Sequence, residues 1–389
     1  MNYCDNCGEG SADTARFCRN CGLPLSTNTI TSSQSLNRNQ NLSHIAFPSS
    51  EHQPDIVIRN ITNINTKTTQ LSQQSADAIS HTIFVVSAGF AAEMQDIFNS
   101  LRVNCAGIVY DSDPTLVIRK CHDKIRKCPD GTIRYVCIVG NWDEIPPTEI
   151  QNTMLDDGDA VCFTDALYGS TDEFNYDDPF TAIPVLPVGR IPVANRDVVY
   201  RMLTQSPALS PKDNAFLFGV TADCWSDATL DIISTFPNLP HDVPQFLEPL
   251  TKDFIPRSTV LCSPAWDEDT LRETIGGEIR SQYQVILFNV HGGIDDPVWV
   301  GEGHRHQYVH IFSPGTIKQY NSSIIVSEAC YGGAIDYDGI SIVEHFFLNG
   351  GSSFVGSSTI AYGSPSPPIC GADLIAKHYI KGLYALLSG

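Results

Sequence analysis

The stretch VILFNVHGGIDD, residues 285–296, decides how this chain is read. Residues 285–290 are a short, almost wholly apolar run. A run of that length suits a strand better than a helix, and apolar residues at both parities require cover on both faces. It stops abruptly at His291-Gly292-Gly293. The stretch SSIIVSEACYGG, residues 322–333, repeats the pattern and ends in Cys330, then Tyr331-Gly332-Gly333. One strand delivers an imidazole to its C-terminal tip, and the next delivers a thiol.

The flanking sequence has the same texture. HTIFVVSAG (81–89), CAGIVYD (105–111), IRYVCIVG (133–140), NAFLFGVTAD (214–223), STVLCSP (258–264) and GGSSFVGSS (350–358) read as strands. FAAEMQDIFNSLR lies between the first two, with Phe90, Met94, Ile97, Phe98 and Leu101 on one helical face. Pro114 opens a second helix, a third begins near Asn195, and DEDTLRETIGGEI and LIAKHYIKGLYALL supply two more. Apolar strands alternating with helices predict an α/β domain over residues 81–389, with a mainly parallel sheet covered by helices on both faces. In such sheets ligands bind beyond the C-terminal strand ends, where His291 and Cys330 stand.

A thiol is a weak nucleophile until it loses its proton, and a neighbouring imidazole takes that proton and steadies the anion. Glycine turns bring amide groups close to a reacting oxyanion. Cys330 therefore reads as nucleophile and His291 as general acid and base, with the amides of Gly292 and Cys330 as oxyanion donors. A single Cys at a strand end is usually a small core residue. The joint occurrence of both residues on successive strands favours catalysis.

FNVHGG followed by VSEACYGG resembles the caspase-like cysteine peptidases, and more specifically the gingipain family. YVCIVGNWDEIPP, the pair DDGDAVCFTDALYG and VGRIPVANRDVVYRML, and GGSSFVGSSTIAYGSP resemble further blocks of that family in the same order, over roughly residues 81–386. The resemblance implies a caspase-like fold and a cysteine endopeptidase whose Cys/His dyad is Cys330 and His291. It implies that Ser358–Tyr362 walls the primary specificity pocket, with Tyr362 stacking on a substrate side chain. It places Asp156, Asp157, Asp159 and Asp165 in a pocket-lining block. Asp157 and Asp165 are the candidates there for pairing with a basic substrate residue. Glu328, two residues before Cys330 on the same strand face, is a further pocket candidate, able to orient His291 or meet a substrate cation. The founding members are secreted, and neither secretion nor their preference for Arg or Lys is carried over.

Residues 1–25 carry a different signal. Cys4-x2-Cys7 and Cys18-x2-Cys21 are each followed by glycine, at Gly8 and Gly22. Two such turns aim four thiolates at one point and predict a zinc ribbon holding one structural Zn2+ ion, with no open coordination position. The ribbon's partner is not readable. Residues 26–80 are rich in Asn, Gln, Ser and Thr and poor in charge and aromatics, so a flexible linker is expected. GEGHRHQYVH contains His304, His306 and His310 at a spacing that fits no metal set, and reads as a mobile loop beside the active site.

The chain of 389 residues has 44 acidic against 24 basic residues, a net charge of −20. That balance disfavours nucleic acid and anionic membranes, and suits a protein or peptide substrate. No run reaches the ~18 apolar residues of a membrane helix, and no apolar leader follows Met1. The 13 cysteines are odd in number and scattered, as reduced thiols are in a cytoplasmic protein. No catalytic cofactor is called for. An ungated peptidase in the cytoplasm would be hazardous, so a gate is expected. The rival readings are a catalytically silent caspase-like scaffold and a ligand-sensing regulatory protein.

Overall fold

The computed structural model describes residues 2–3, 10–11, 73–101, 108–110, 113–128, 132–153, 158–171, 184–205, 216–234, 259–275, 277, 283–303 and 306–388. Two units divide the chain, Met1–Lys67 and Thr68–Gly389. In the first, Asn2–Tyr3 pairs antiparallel with Gly10–Ser11. The four ribbon cysteines, Asp156, Asp157 and His304 lie outside the described residues.

The first described element of the second unit is a helix at the end of the expected linker, whose residues 26–72 lie outside the described residues. Helix α1 (Gln73–Ser80) places Ile79 in the core, 5% exposed. Its one large apolar residue is enough to dock a polar segment. The strands follow: β1 (Thr82–Ser87), β2 (Ile108–Tyr110), β3 (Tyr135–Val139), β4 (Thr148–Gln151), β5 (Val161–Thr164), β6 (Val188–Ile191), β7 (Phe216–Ala222), β8 (Thr259–Ser263), β9 (Tyr283–Asn289), β10 (Trp299–Gly303), β11 (Gln307–Phe312), β12 (Ile324–Ser327) and β13 (Ser353–Val355).

The predicted parallel sheet is divided in two. One sheet has the order β2-β1-β3-β6, the other β8-β7-β9-β12-β13, and every pairing within both is parallel. Alternate residues explain the cover. Ile83, Val85, Val136 and Ile138 meet Val117, Ile118 and Cys121 of α4 (Pro114–Lys127). Phe84, Val86 and Val139 face the other way, into a core shared with Phe218, Val220, Ile286 and Phe288 of the second sheet. That core also takes in Val198 and Val199 of α5 (Arg196–Thr204) and Phe346 of α8 (Ile342–Leu348). The opposite face of the second sheet, with Leu217, Val285, Leu287 and Val326, packs on Ile232 and Ile233 of α6 (Ser226–Ile233) and Ala376 and Ile380 of α9 (Gly371–Ser388).

β9 is therefore central, and all seven of its residues are buried. Each fully buried Ile, Leu or Phe there contributes roughly 1.5–3 kcal/mol. The helix starts follow their caps. Asp113 accepts from the amides of Thr115 and Leu116 ahead of Pro114, Asn195 caps α5, and Ser341 forms a reciprocal cap with Glu344. The amphipathic run from Phe90 is two short helices, α2 (Ala88–Glu93) and α3 (Gln95–Ser100), meeting at Met94, and DEDTLRETIGGEI supplies α7 (Glu268–Ile275). Among the described residues no helix is long and apolar enough to cross a membrane.

One ion pair secures the first sheet. Arg190 on β6 grips both oxygens of Asp165, at 2.7 and 2.8 Å. Its remaining nitrogen donates to the carbonyls of Gly140, Asn141 and Ile145. The arginine side chain is 8% exposed and the aspartate 23%. Removing one partner of such a pair leaves an uncompensated charge. Arg190→Ala should lower unfolding free energy in urea by about 3 kcal/mol. A loss below about 1 kcal/mol, the value of a solvated pair, would contradict this.

Candidate active site

β9 and β12 pair in parallel, with Phe288 opposite Ser327. The amide of Glu328 still donates to the carbonyl of Phe288, at 2.8 Å. His291 and Cys330 each stand three residues beyond that last pair. Gly292 then packs directly on the backbone of Cys330, so closely that a Cβ at position 292 would collide with the Cys330 carbonyl oxygen. The two strand tips meet, and only glycine allows the approach.

The chain turns sharply after the thiol. Tyr331 has a φ of +53°, a conformation that an aromatic residue rarely adopts. Three bonds hold it there. Its amide donates to Thr359 O at 2.7 Å, and its hydroxyl reaches both oxygens of Asp159, at 2.7 and 2.8 Å. The amide of Gly333 donates to Ser357 O at 2.7 Å. Segment 357–361 thus runs alongside the turn, and Ala361 closes it. The Ala361 amide points at the Cys330 Sγ from 3.4 Å, and the thiol faces the Ala361 carbonyl at 3.7 Å.

His291 is held from the other side. Together with Gly292 it forms a two-residue ladder with β10, His291 opposite Val300. β10 and β11 form an antiparallel hairpin, so the segment read as a mobile loop is a pair of strands. Glu302 of β10 accepts from His291 Nε2 at 2.8 Å and from His306 Nδ1 at 2.5 Å. Trp225 packs on the His291 ring with centroids 4.4 Å apart, and Tyr308 meets its edge at 5.6 Å.

Burial pushes the Glu302 carboxyl upward, but the hydrogen bonds from His291 and His306 prevail and hold it at about 2, against an ordinary 4.5. Glu302 is thus a carboxylate and can only accept, so Nε2 of His291 carries a proton. The lone pair of the neutral ring is then on Nδ1. Sequence reasoning missed Glu302, which sits between two glycines with nothing local to mark it.

The proposed pocket residues are placed differently from one another. Glu328 is buried, 7% exposed, rather than on a solvent rim. Burial, with Asp373 of α9 beside it, pushes its carboxyl well above the usual range. Glu328 is therefore not on an open rim where a substrate cation would meet it. Both oxygens of Asp165 are taken by Arg190. Tyr362 is half-buried, and its carbonyl accepts from Ala372 at the start of α9. A cavity of about 380 Å³ lies next to the Cys330 turn, lined by Trp142, Phe163, Asp165, Arg190, Gly333 and Ser358 among others.

The sequence model for peptidase family C25 matches residues 90–387. Among solved structures the chain is similar to one described as the Arg specific cysteine proteinase gingipain R. The identity is 11% and the TM-score 0.48, covering 74% of this chain and 65% of that one. It is also similar to a complex of Porphyromonas gingivalis RgpB pro- and mature domains, at 13% identity and TM-score 0.43, covering 73% and 64%. A structure described as a protease shares 12% identity at TM-score 0.46, covering 73% and 60%. The chain thus spans about 65% or less of the length of these relatives. No curated protein matches.

Two outcomes follow from the geometry. Gly292→Ala must part the strand tips, and should slow alkylation of Cys330 by a peptidyl ketone about 100-fold, with an unchanged far-ultraviolet spectrum. An unaltered rate would show that the tips do not meet. The depressed Glu302 carboxyl has a signed effect on stability. Its contribution is complete above pH 4.5 and is lost as pH falls through about 2. The melting-temperature advantage of wild type over Glu302→Gln should be constant above pH 4.5 and shrink toward pH 2. An advantage that grows with acidity would contradict the assignment.

Proposed function

The chain belongs to peptidase family C25, and on that footing we propose that it is a cysteine endopeptidase acting through Cys330 and His291. The observation that supports this best is the packing of Gly292 on the Cys330 carbonyl, which joins the two strand tips that carry the residues.

In this reading His291 Nδ1 takes the Cys330 proton, and the thiolate attacks the peptide carbonyl carbon. The amides of Gly292 and Cys330 receive the developing oxyanion. The imidazolium gives its proton to the leaving amine, and an acyl-thioester remains on Cys330. Water, deprotonated by His291, then releases the acid and restores the thiol. Glu302 is the positioning residue. Its bond to Nε2 fixes the tautomer and steadies the imidazolium, while Trp225 fixes the ring plane.

The substrate is a protein or peptide. Segment Ser358–Tyr362 walls the pocket for the residue before the cleaved bond. Asp165 is neutralised by Arg190, so it does not by itself select a basic side chain. The Cys4, Cys7, Cys18 and Cys21 set holds one structural zinc ion and recruits the peptidase to its target in the cytoplasm.

The test uses acyloxymethyl-ketone peptides with Arg, Lys, Asp or Leu in the first position, together with an unstructured protein substrate. Wild type should be labelled and should generate new internal termini. Cys330→Ala should do neither, and His291→Ala should lose about 10²- to 10⁴-fold in labelling rate. Full activity in His291→Ala would contradict the dyad, and trimming only from chain ends would contradict endopeptidase action.

A further inference from the structure

The base of the proposed dyad has a second thiol beside it. Cys224 lies in the single turn Asp223–Trp225 at the end of β7, and the exchange of acyl groups at Cys330 makes no use of it. Its Sγ donates to Glu302 Oε2 at 3.5 Å, the same oxygen that accepts from His291 Nε2 at 2.8 Å. The donor atoms of Cys224, His291 and Glu302 all lie within 4.8 Å of one another.

We propose that these three side chains form a zinc site that switches the peptidase off. Four-coordinate zinc, with metal–ligand distances of about 2.0–2.3 Å, sets neighbouring donors roughly 3.3–3.7 Å apart. The Cys224–Glu302 spacing of 3.5 Å falls in that range and the His291–Glu302 spacing of 2.8 Å just below it, so modest side-chain adjustments close the triangle. Thiolate, imidazole and carboxylate together suit zinc, while the all-oxygen preference of magnesium and calcium is not met. The ligands come from three separate framework elements: the turn after β7, the tip of β9, and β10. The carboxylate is already oriented, since its other oxygen is bonded to His306 at 2.5 Å. Cys224 is exposed, which gives an ion access from solvent. Three protein ligands leave a fourth position for water or a peptide group.

The consequence for chemistry rests on the peptidase reading. A zinc ion on Nε2 takes the lone pair of that nitrogen, so the ring proton must move to Nδ1. Nδ1 then has no lone pair to accept the Cys330 proton. The thiol of Cys224 gives its proton to solvent as the Zn–S bond forms. Each ion bound therefore releases one proton, and nothing is oxidised or reduced. Free zinc in the solvent would act as the gate that an open peptidase requires.

The experiment counts zinc on the full-length protein, by competition with a chromophoric chelator. Wild type, Cys224→Ser and Cys330→Ala are compared, the N-terminal cysteines being common to all three. Wild type and Cys330→Ala should bind one more equivalent than Cys224→Ser. In parallel, zinc should suppress labelling of wild type by a peptidyl ketone at least 10-fold, and the ratio of rates with and without zinc should approach one in Cys224→Ser. Equal zinc content in wild type and Cys224→Ser would overturn the proposal. Loss of the equivalent in Cys330→Ala with its retention in Cys224→Ser would also overturn it, because the ion would then sit on the dyad itself. A Cys224-dependent equivalent in a protein that never labels would support the site while overturning the peptidase reading.

Discussion

Everything in the proposed chemistry depends on a contact without side chains: Gly292 lying on the carbonyl of Cys330. Two parallel strands in one sheet end level because Phe288 and Ser327 are paired. Parallel register fixes the chain direction, so both tips leave the sheet on the same edge. A helix-covered, fully buried β9 cannot slide by one residue, since that would exchange its two packed faces. The reach between imidazole and thiol is thus set by the core rather than by the loops.

Around that contact the protein spends conformational strain and long-range polar bonds. Tyr331 occupies a left-handed conformation, at a cost of order 1 kcal/mol or more. Asp159, brought from the β4–β5 hairpin connection, holds it through the phenol. Glu302, on a strand added antiparallel to the tip of β9, fixes the histidine tautomer. The separate β4–β5 hairpin contributes the Asp159 anchor, and the second sheet carries the proposed reacting pair.

The sequence made much of this readable, for specific reasons. β9 and β12 declare themselves because a doubly covered strand is apolar at every position, and their tips because His-Gly-Gly and Cys-Tyr-Gly-Gly stop those runs. Pro114 and Asn195 mark helix starts through local hydrogen bonding. The division into two sheets was not readable, because parallel pairing partners are chosen by tertiary packing. The hairpin of β10 and β11 was not readable, because neither WVGEG nor QYVHIF alternates between apolar and polar residues. Asp159 acts on a residue 172 positions away, and no local pattern encodes such a bond, while Glu302 reaches His291 only through the strand pairing of β10 with the tip of β9. Cys224 was lost among scattered thiols for the same reason.

Because a second thiol, Cys224, shares the Glu302 carboxylate with His291, the identity of the modified cysteine is the most direct test. The wild-type chain would be treated with less than one equivalent of a peptidyl ketone, digested, and each of the 13 cysteines examined by peptide mass mapping. The account predicts an adduct confined to Cys330. An adduct on Cys224, the thiol hydrogen-bonded to the same carboxylate as His291, would contradict it.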